Sequence, residues 1–221
     1  MVFMPASEVP YPKDFPPEEY YVTRTKITRE QVDALHRLVT DRASEKDLNE
    51  FVKDNPAILL SLLQWTRTGH HGAWVISKAT VRPHLPGDRR GYIPDFLLGG
   101  KSSDGFTWWV VELKGADANL FSKRGNYYRL SYNANHGVCQ LLNYIDYCAE
   151  IQQHLRDQYG LTGFREPDGF LIIGREDEFE DDREREKLKA AWNRAVGTKL
   201  HIRTWSSLVR AARHLLEETA P

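Results

Sequence analysis

The chain has 221 residues, 41% apolar and 28% charged, with a formal net charge of −1. This is an ordinary globular composition, long enough to bury a core without disulfide or metal staples, and its charge balance gives no global case for a polyanionic partner. The opening MVFMPASEVPYPKDFPP lacks the basic head and apolar core of a secretory signal; no apolar run approaches membrane-spanning length; and Cys139 and Cys148 are too few for a disulfide framework, so both are expected as buried thiols in a reducing cytoplasm.

Residues 1–22 are proline-rich without apolar periodicity and are expected to form an extended arm, lying on the body or on a partner subunit. Residues 28–41 predict a helix with Thr28 as N-cap and Gln31 three positions on. Residues 44–54 predict another, capped by Ser44 with Asp47 in its first turn, and after Pro56 the run AILLSLL continues as a short apolar helix. The pattern then turns to strands over 72–83, over 92–98 after a turn at Pro86, Gly87 and Asp88, and over 106–114 after a turn at 99–105. Residues 116–133 read as irregular. A long helix follows over about 135–158, stopping before Gly160, then a continuous apolar strand at 169–174 that suggests burial on both faces. A polar helix at 180–196, a short strand at 199–204 and an amphipathic helix at 205–217 complete one α/β domain. It divides into an arm and helix over 1–43 and a core domain over 44–221.

Charge is unevenly spread. Between residues 75 and 130 nine Lys and Arg stand against five Asp and Glu, an excess that suits a phosphate backbone. Between 175 and 187 eight acids stand against four bases. That run is expected to be the solvated face of a helix, with acids favoured near its N-terminus.

The chemistry lies in Pro94-Asp95 and Glu112-Leu113-Lys114. Asp95 falls on the second predicted strand and Glu112 on the third, and the short connection makes those strands antiparallel neighbours. Two carboxylates on adjacent strands suit one hard divalent cation. Glu112 and Lys114 project from one face of their strand, while Trp109, Val111 and Leu113 enter a core on the other. Charges on so apolar a strand need pairing or coordination. The arrangement points to phosphodiester hydrolysis. Asp95, Glu112 and the Leu113 carbonyl would ligate Mg²⁺ or Mn²⁺, favoured over Zn²⁺ by the oxygen-only set. Lys114 would orient the nucleophile and offset anionic charge. Those five residues alone fit a salt-bridged strand pair better; their context shifts the balance.

The element order, a helix, three strands, a long helix and a further strand, resembles the core of PD-(D/E)xK nucleases, with the motif on the second and third strands. Gln140 and Tyr144, one turn apart on the long helix, can face the same site, which adds Gln140 to the catalytic candidates. Glu45 precedes the inner stripe Leu48, Phe51 and Val52 by one turn. It either joins the metal site through water or is a first-turn carboxylate favoured by the helix N-terminus.

The chain resembles the Shedu family on five segments in order: Glu45-x-x-Leu48-x-x-Phe51 with Asn55-Pro56, Ile93-Pro94-Asp95-Phe96, Val111-Glu112-Leu113-Lys114, Gln140-Leu141-Leu142-x-Tyr144, and Gly169-Phe170-Leu171-Ile172-Ile173-Gly174-Arg175. The resemblance implies a restriction-endonuclease-like PD-(D/E)xK core, with a central mixed sheet flanked by helices. It also implies bacterial antiphage defence, divalent-metal DNA cleavage and homo-oligomeric assembly. Many relatives carry a large N-terminal regulatory region, whereas here the core begins near residue 44, which leaves the mode of activation open.

Arg82, Arg89 and Arg90 precede Asp95 and either hold the DNA backbone or serve solubility. Residues 123–132 interleave Lys123, Arg124 and Arg129 with Tyr127, Tyr128 and Tyr132. That pattern suits backbone contact plus base stacking, or equally a solvated loop packed by its own aromatics. His70, His71 and His84 lack the spacing of a zinc site and read as solvated loop residues; His136 reads as a weak phosphate-contact candidate and Arg175 as structural. No P-loop and no serine or cysteine nucleophile signature is present. Three hypotheses therefore stand: a metal-dependent DNA endonuclease or nickase, a non-catalytic DNA-binding or end-sensing module, and a structural interaction protein whose carboxylates serve salt bridges.

Overall fold

The computed structural model describes residues 11–66, 68–81, 92–180, 182–196 and 199–219. Helix α1 spans Arg29–Thr40 and α2 Glu45–Asp54. Both begin where their caps predict. Thr28 and Gln31 exchange side-chain and backbone hydrogen bonds in a capping box, and the Ser44 hydroxyl accepts from the Asp47 N–H. The apolar run after Asn55 is a 3-10 helix, Pro56–Trp65, rather than an α-helix, and Ala57 to Leu63 are all buried.

A five-stranded mixed sheet has the order β1 (Gly72–Ser77), β2 (Phe96–Ser102), β3 (Gly105–Leu113), β6 (Asp168–Ile172) and β7 (Leu200–Arg203). β1, β2 and β3 pair antiparallel, and β3, β6 and β7 pair parallel. Between β3 and β6 lie a small hairpin, β4 (Phe121–Arg124) and β5 (Tyr127–Leu130), then α3 (Tyr132–Glu150) and α4 (Gln152–Tyr159). α5 (Arg183–Val196) precedes β7, and α6 (Trp205–Thr219) follows it.

Both sheet faces are covered, which makes three layers. Val75, Leu98, Trp109, Val111 and Ile172 pack with the buried residues of α1, α2, the 3-10 helix and α6. Trp74, Leu97, Trp108, Val110 and Ile202 pack with those of α3 and α4 and with the half-buried face of α5. The described part of the arm lies on the body. The Trp74 indole donates to the Tyr11 hydroxyl at 2.7 Å, the Phe15 ring meets Trp74 and Phe106 edge-on, and Tyr21 bridges to Trp74. Val22 and Ile27 join the same core as α1.

Several boundaries differ from the sequence expectation. The first strand ends at Ser77 because Lys78 turns into the left-handed region, at φ 56°. The second begins at Phe96, which leaves Asp95 on its threshold. Gly99 and Gly100 belong to β2 rather than to a turn. A Cβ on Gly99 would stand 2.6 Å from the Trp108 ring, and one on Gly100 2.8 Å from the Thr68 methyl, so both positions are kept clear for close neighbours. The stretch 116–133 contains the β4–β5 hairpin, and the long helix is interrupted at Ile151. Cys148 is buried, which pushes its thiol up to about 12, but Cys139 is exposed, so only one of the two thiols is internal. The acidic run is not all solvated: Glu178, its side chain 4% exposed, accepts from the Leu120 and Phe121 N–H groups at 2.7 and 2.8 Å. Among the described residues no helix is long and apolar enough to cross a membrane.

Candidate active site

The register that pairs Phe96 with Val111 brings Asp95, one step earlier, level with Glu112, where β2 enters the sheet and β3 leaves it. Residues opposite one another in an antiparallel pair share a face. Asp95 and Glu112 therefore project on the side covered by α3, the side of Leu97 and Val110. Asp95, Glu112 and Lys114 are 7%, 3% and 4% exposed.

Asp95 is held by three donors. Its Oδ2 accepts from the Leu113 N–H at 2.9 Å, and its Oδ1 accepts from Lys78 Nζ and Asn49 Nδ2, each at 2.5 Å. Lys114 Nζ donates to Glu112 Oε1 at 2.8 Å and to Glu45 Oε1 at 3.3 Å. The Lys114 main chain is fixed on both sides: its N–H donates to the Ile172 carbonyl at 2.8 Å, and its carbonyl accepts from the Trp205 indole at 2.6 Å. Above it, α3 comes close because position 137 has no side chain. A Cβ on Gly137 would stand 2.6 Å from Leu171 Cδ1 and 3.5 Å from Lys114 Cε.

The electrostatics follow from burial. Desolvation, with the neighbouring Asp95 charge, pushes the Glu112 carboxyl up to about 7 against the opposing pull of Lys114. Burial works to lower the Lys114 pKa, yet the Glu112 charge and hydrogen bond, joined by Glu45, leave it raised. Tyr144 is raised by burial and then by the Glu112 charge, which sets its phenol in the field of the same acids. Two buried carboxylates that feel one another this strongly call for cationic compensation. The described side chains supply it from Lys78 and Lys114.

The predicted residues divide into three groups. Asp95, Glu112 and Lys114 come together, with the Leu113 N–H on Asp95 and the Leu113 side chain in the opposite core. Glu45 reaches the site through Lys114 and stays half exposed. Gln140 donates to the Tyr144 hydroxyl at 3.4 Å, and that hydroxyl donates to the Ile93 carbonyl at 3.4 Å. Among the described residues the buried Gln140 Oε1 has no partner. Lys123, Arg124 and Arg129 stand exposed on the β4–β5 hairpin, which the chain forms directly after leaving Lys114. Of its aromatics, Tyr128 is packed between Lys123 and Arg185 and bonded to Asp182, while Tyr127 and Tyr132 are 80% and 84% exposed. Tyr128 is thus packed within the hairpin as the second reading expects, while Tyr127 and Tyr132 are not. Arg82, Arg89, Arg90 and His84 lie outside the described residues. Arg175 is structural, donating to the Thr40 carbonyl at 2.9 Å and pairing with Asp177, and His136 is exposed and stacked on Tyr132. Among the described residues no three His, Cys, Asp or Glu side chains stand in metal-holding proximity.

Sequence reasoning missed Lys78 and Asn49. Asn49 carried a usable signal, since it lies one turn beyond Glu45 on the same helix face. Lys78 carried none, because its reach to Asp95 depends on a left-handed backbone that no local motif announces.

Three layers around a mixed sheet, delivering two buried carboxylates and a lysine to the point where β2 enters and β3 leaves, define an α/β protein with a polar centre at its strand ends. Residues 42–209 match the family model described as Shedu protein SduA, C-terminal, and the chain belongs to that family, a component of antiphage defence. No curated protein matches the chain.

Proposed function

We propose that this chain is a divalent-metal-dependent DNA nuclease built on a PD-(D/E)xK core. The observation that carries this reading is the meeting of Asp95, Glu112 and Lys114 at adjoining strand ends, three buried ionisable groups beside one another. The donor set fits a hard cation: every carboxylate there offers oxygen, and Asp95 and Glu112 are near enough for one charge to raise the pKa of the other. Asp95 and Glu112 are the residues to hold Mg²⁺ or Mn²⁺, with the Leu113 carbonyl and Glu45 as further oxygens. When bound, such an ion supplies Lewis acidity at a phosphodiester and makes water a better nucleophile near neutral pH.

The chain's own groups do the rest. Glu112 and Glu45 aim the Lys114 ammonium, which orients the attacking water and offsets charge on the phosphate. Lys78, its side chain half exposed, is a second ammonium that can turn from Asp95 to an adjacent phosphate. Tyr144, tied to Gln140 and the Ile93 carbonyl, closes the site beneath α3. The hairpin cations Lys123, Arg124 and Arg129, with Tyr127 and Tyr132, form the surface for a DNA backbone.

The rival reading, a DNA-binding module whose acids only serve ion pairs, has one observation behind it: Lys78 and Lys114 already neutralise both carboxylates. The two readings part on Lys114→Ala. For a nuclease, cleavage in Mg²⁺ or Mn²⁺ falls by about 10²–10³ or more, while calorimetry still finds Mn²⁺ bound. Equal cleavage by Lys114→Ala and wild type defeats the nuclease reading.

A further inference from the structure

Beside β7, the end of the 3-10 helix Pro56–Trp65, α5 and α6 line an open cavity of about 340 Å³. It shares no residue with the Asp95–Glu112–Lys114 centre. It also opens on the other sheet face: Ile202 packs under α3 and α5, so the next residue, Arg203, projects toward α6 and Trp65.

Its walls carry Lys189, Arg203 and Arg210 against a single carboxylate, Glu176. Glu176 is committed elsewhere, gripped by both terminal nitrogens of Arg210. Among the described residues neither Lys189 nor Arg203 has an ion-pair partner within 4.0 Å, and the Lys189 ammonium rests on the Phe179 ring, 5.0 Å from its centroid. The Arg203 guanidinium lies 4.9 Å from the centroid of Trp65, and one terminal nitrogen donates to the Ile202 carbonyl at 3.3 Å. Among the described residues its buried Nε has no acceptor, nor has the buried Nε2 of Gln64, which lines the same cavity. Burial holds both Lys189 and Arg203 below their ordinary pKa values; on Lys189 the Glu176 charge pulls the other way, and Arg203 and Arg210 depress it further.

An unmet donor costs stability and a buried unpaired charge costs more, so such groups are retained where something satisfies them. Among the described residues three donors on the residues lining the cavity have no acceptor: Arg203 Nε, Gln64 Nε2 and the Lys189 ammonium. The missing group is therefore a multi-oxygen anion. A phosphate matches the guanidinium fork and the ammonium together, and the Trp65 indole, 37% exposed, stands at the rim. We propose that this cavity is a phosphate-binding pocket, with Lys189 and Arg203 as its principal contacts and Gln64 as a neutral donor. The pocket stands independently of whether the chain cleaves DNA.

Thermal unfolding of the full chain tests it, with inorganic phosphate replacing chloride at constant ionic strength. Wild type should gain stability as phosphate rises, because a ligand bound only by the folded state raises the midpoint by mass action. Lys189→Met should weaken the apparent phosphate affinity about tenfold or more, and in chloride it should melt no lower than wild type, since the cation it removes has no ion-pair partner among the described residues and the methionine can keep the contact with Phe179. Arg203→Met should lose the response as well, and Lys189→Met keeps the test decisive if the loss of the Trp65 contact disturbs that variant. DNA binding across a salt series identifies the source of the phosphate. If a nucleic-acid backbone supplies it, Lys189→Met lowers the slope of log affinity against log salt by about one. If a free phosphate compound supplies it, the slope stays and only the phosphate response disappears. Absence of stabilisation by phosphate in wild type, or the same stabilisation in wild type and both variants, overturns the proposal.

Discussion

Two charged regions follow one another in the chain under opposite conditions. Where β2 enters and β3 leaves the sheet, Asp95, Glu112 and Lys114 are buried, and Asp95 alone takes three donors from three different elements. A few residues on, Lys123, Arg124 and Arg129 stand in water on the β4–β5 hairpin, where Arg129 donates to the Ser122 hydroxyl at 3.3 Å. Burial turns charge into a geometric constraint, because each group must meet its partner or unfold the site. Exposure leaves charge as a field, cheap to place and loosely aimed. On the proposed function, the first region positions the reaction and the second attracts the polyanion.

That contrast can be broken by substitution. Lys114→Met leaves two acids beside one another and should lower the unfolding free energy of EDTA-treated protein by about 3 kcal/mol; a loss below about 1 kcal/mol in urea titration would mean that the buried pair does not hold the site together. Glu178→Ala should cost about 2 kcal/mol, because it strands the Leu120 and Phe121 N–H groups at the root of the hairpin. The same urea midpoints report it, and no change would detach the hairpin from the acidic run. The smallest effect on stability belongs to Lys123, Arg124 and Arg129 changed together to Ala, within about 0.5 kcal/mol of wild type. Their effect should fall on DNA instead, with the slope of log affinity against log salt reduced by about two to three, at roughly 0.9 per phosphate contact. An unchanged slope would remove the hairpin from the DNA path.

How much of this was legible in the sequence depended on range. Helix starts were legible because Thr28 with Gln31, and Ser44 with Asp47, act within one turn. The pairing of Asp95 with Glu112 was legible because one short connection separates their strands. Strand ends were not, since Lys78 leaves β1 through a left-handed backbone and Gly99 stays in β2 to seat Trp108. Nor was the support of Lys114, which depends on Trp205, 91 residues away, and Ile172. Glu178 misled for the same reason: in sequence it is one acid among eight, and in space it caps the N–H groups of a distant loop. Local chemistry could be read from the sequence, whereas groups brought together by topology could not.

The most direct measurement is cleavage of supercoiled plasmid by the full chain in Mg²⁺ and in Mn²⁺, wild type against Asp95→Ala. The account predicts nicked or linear product from wild type with either ion, none with EDTA, and a loss of at least about 10²-fold in the variant. Equal product from the two proteins, or cleavage that persists in EDTA, would contradict it.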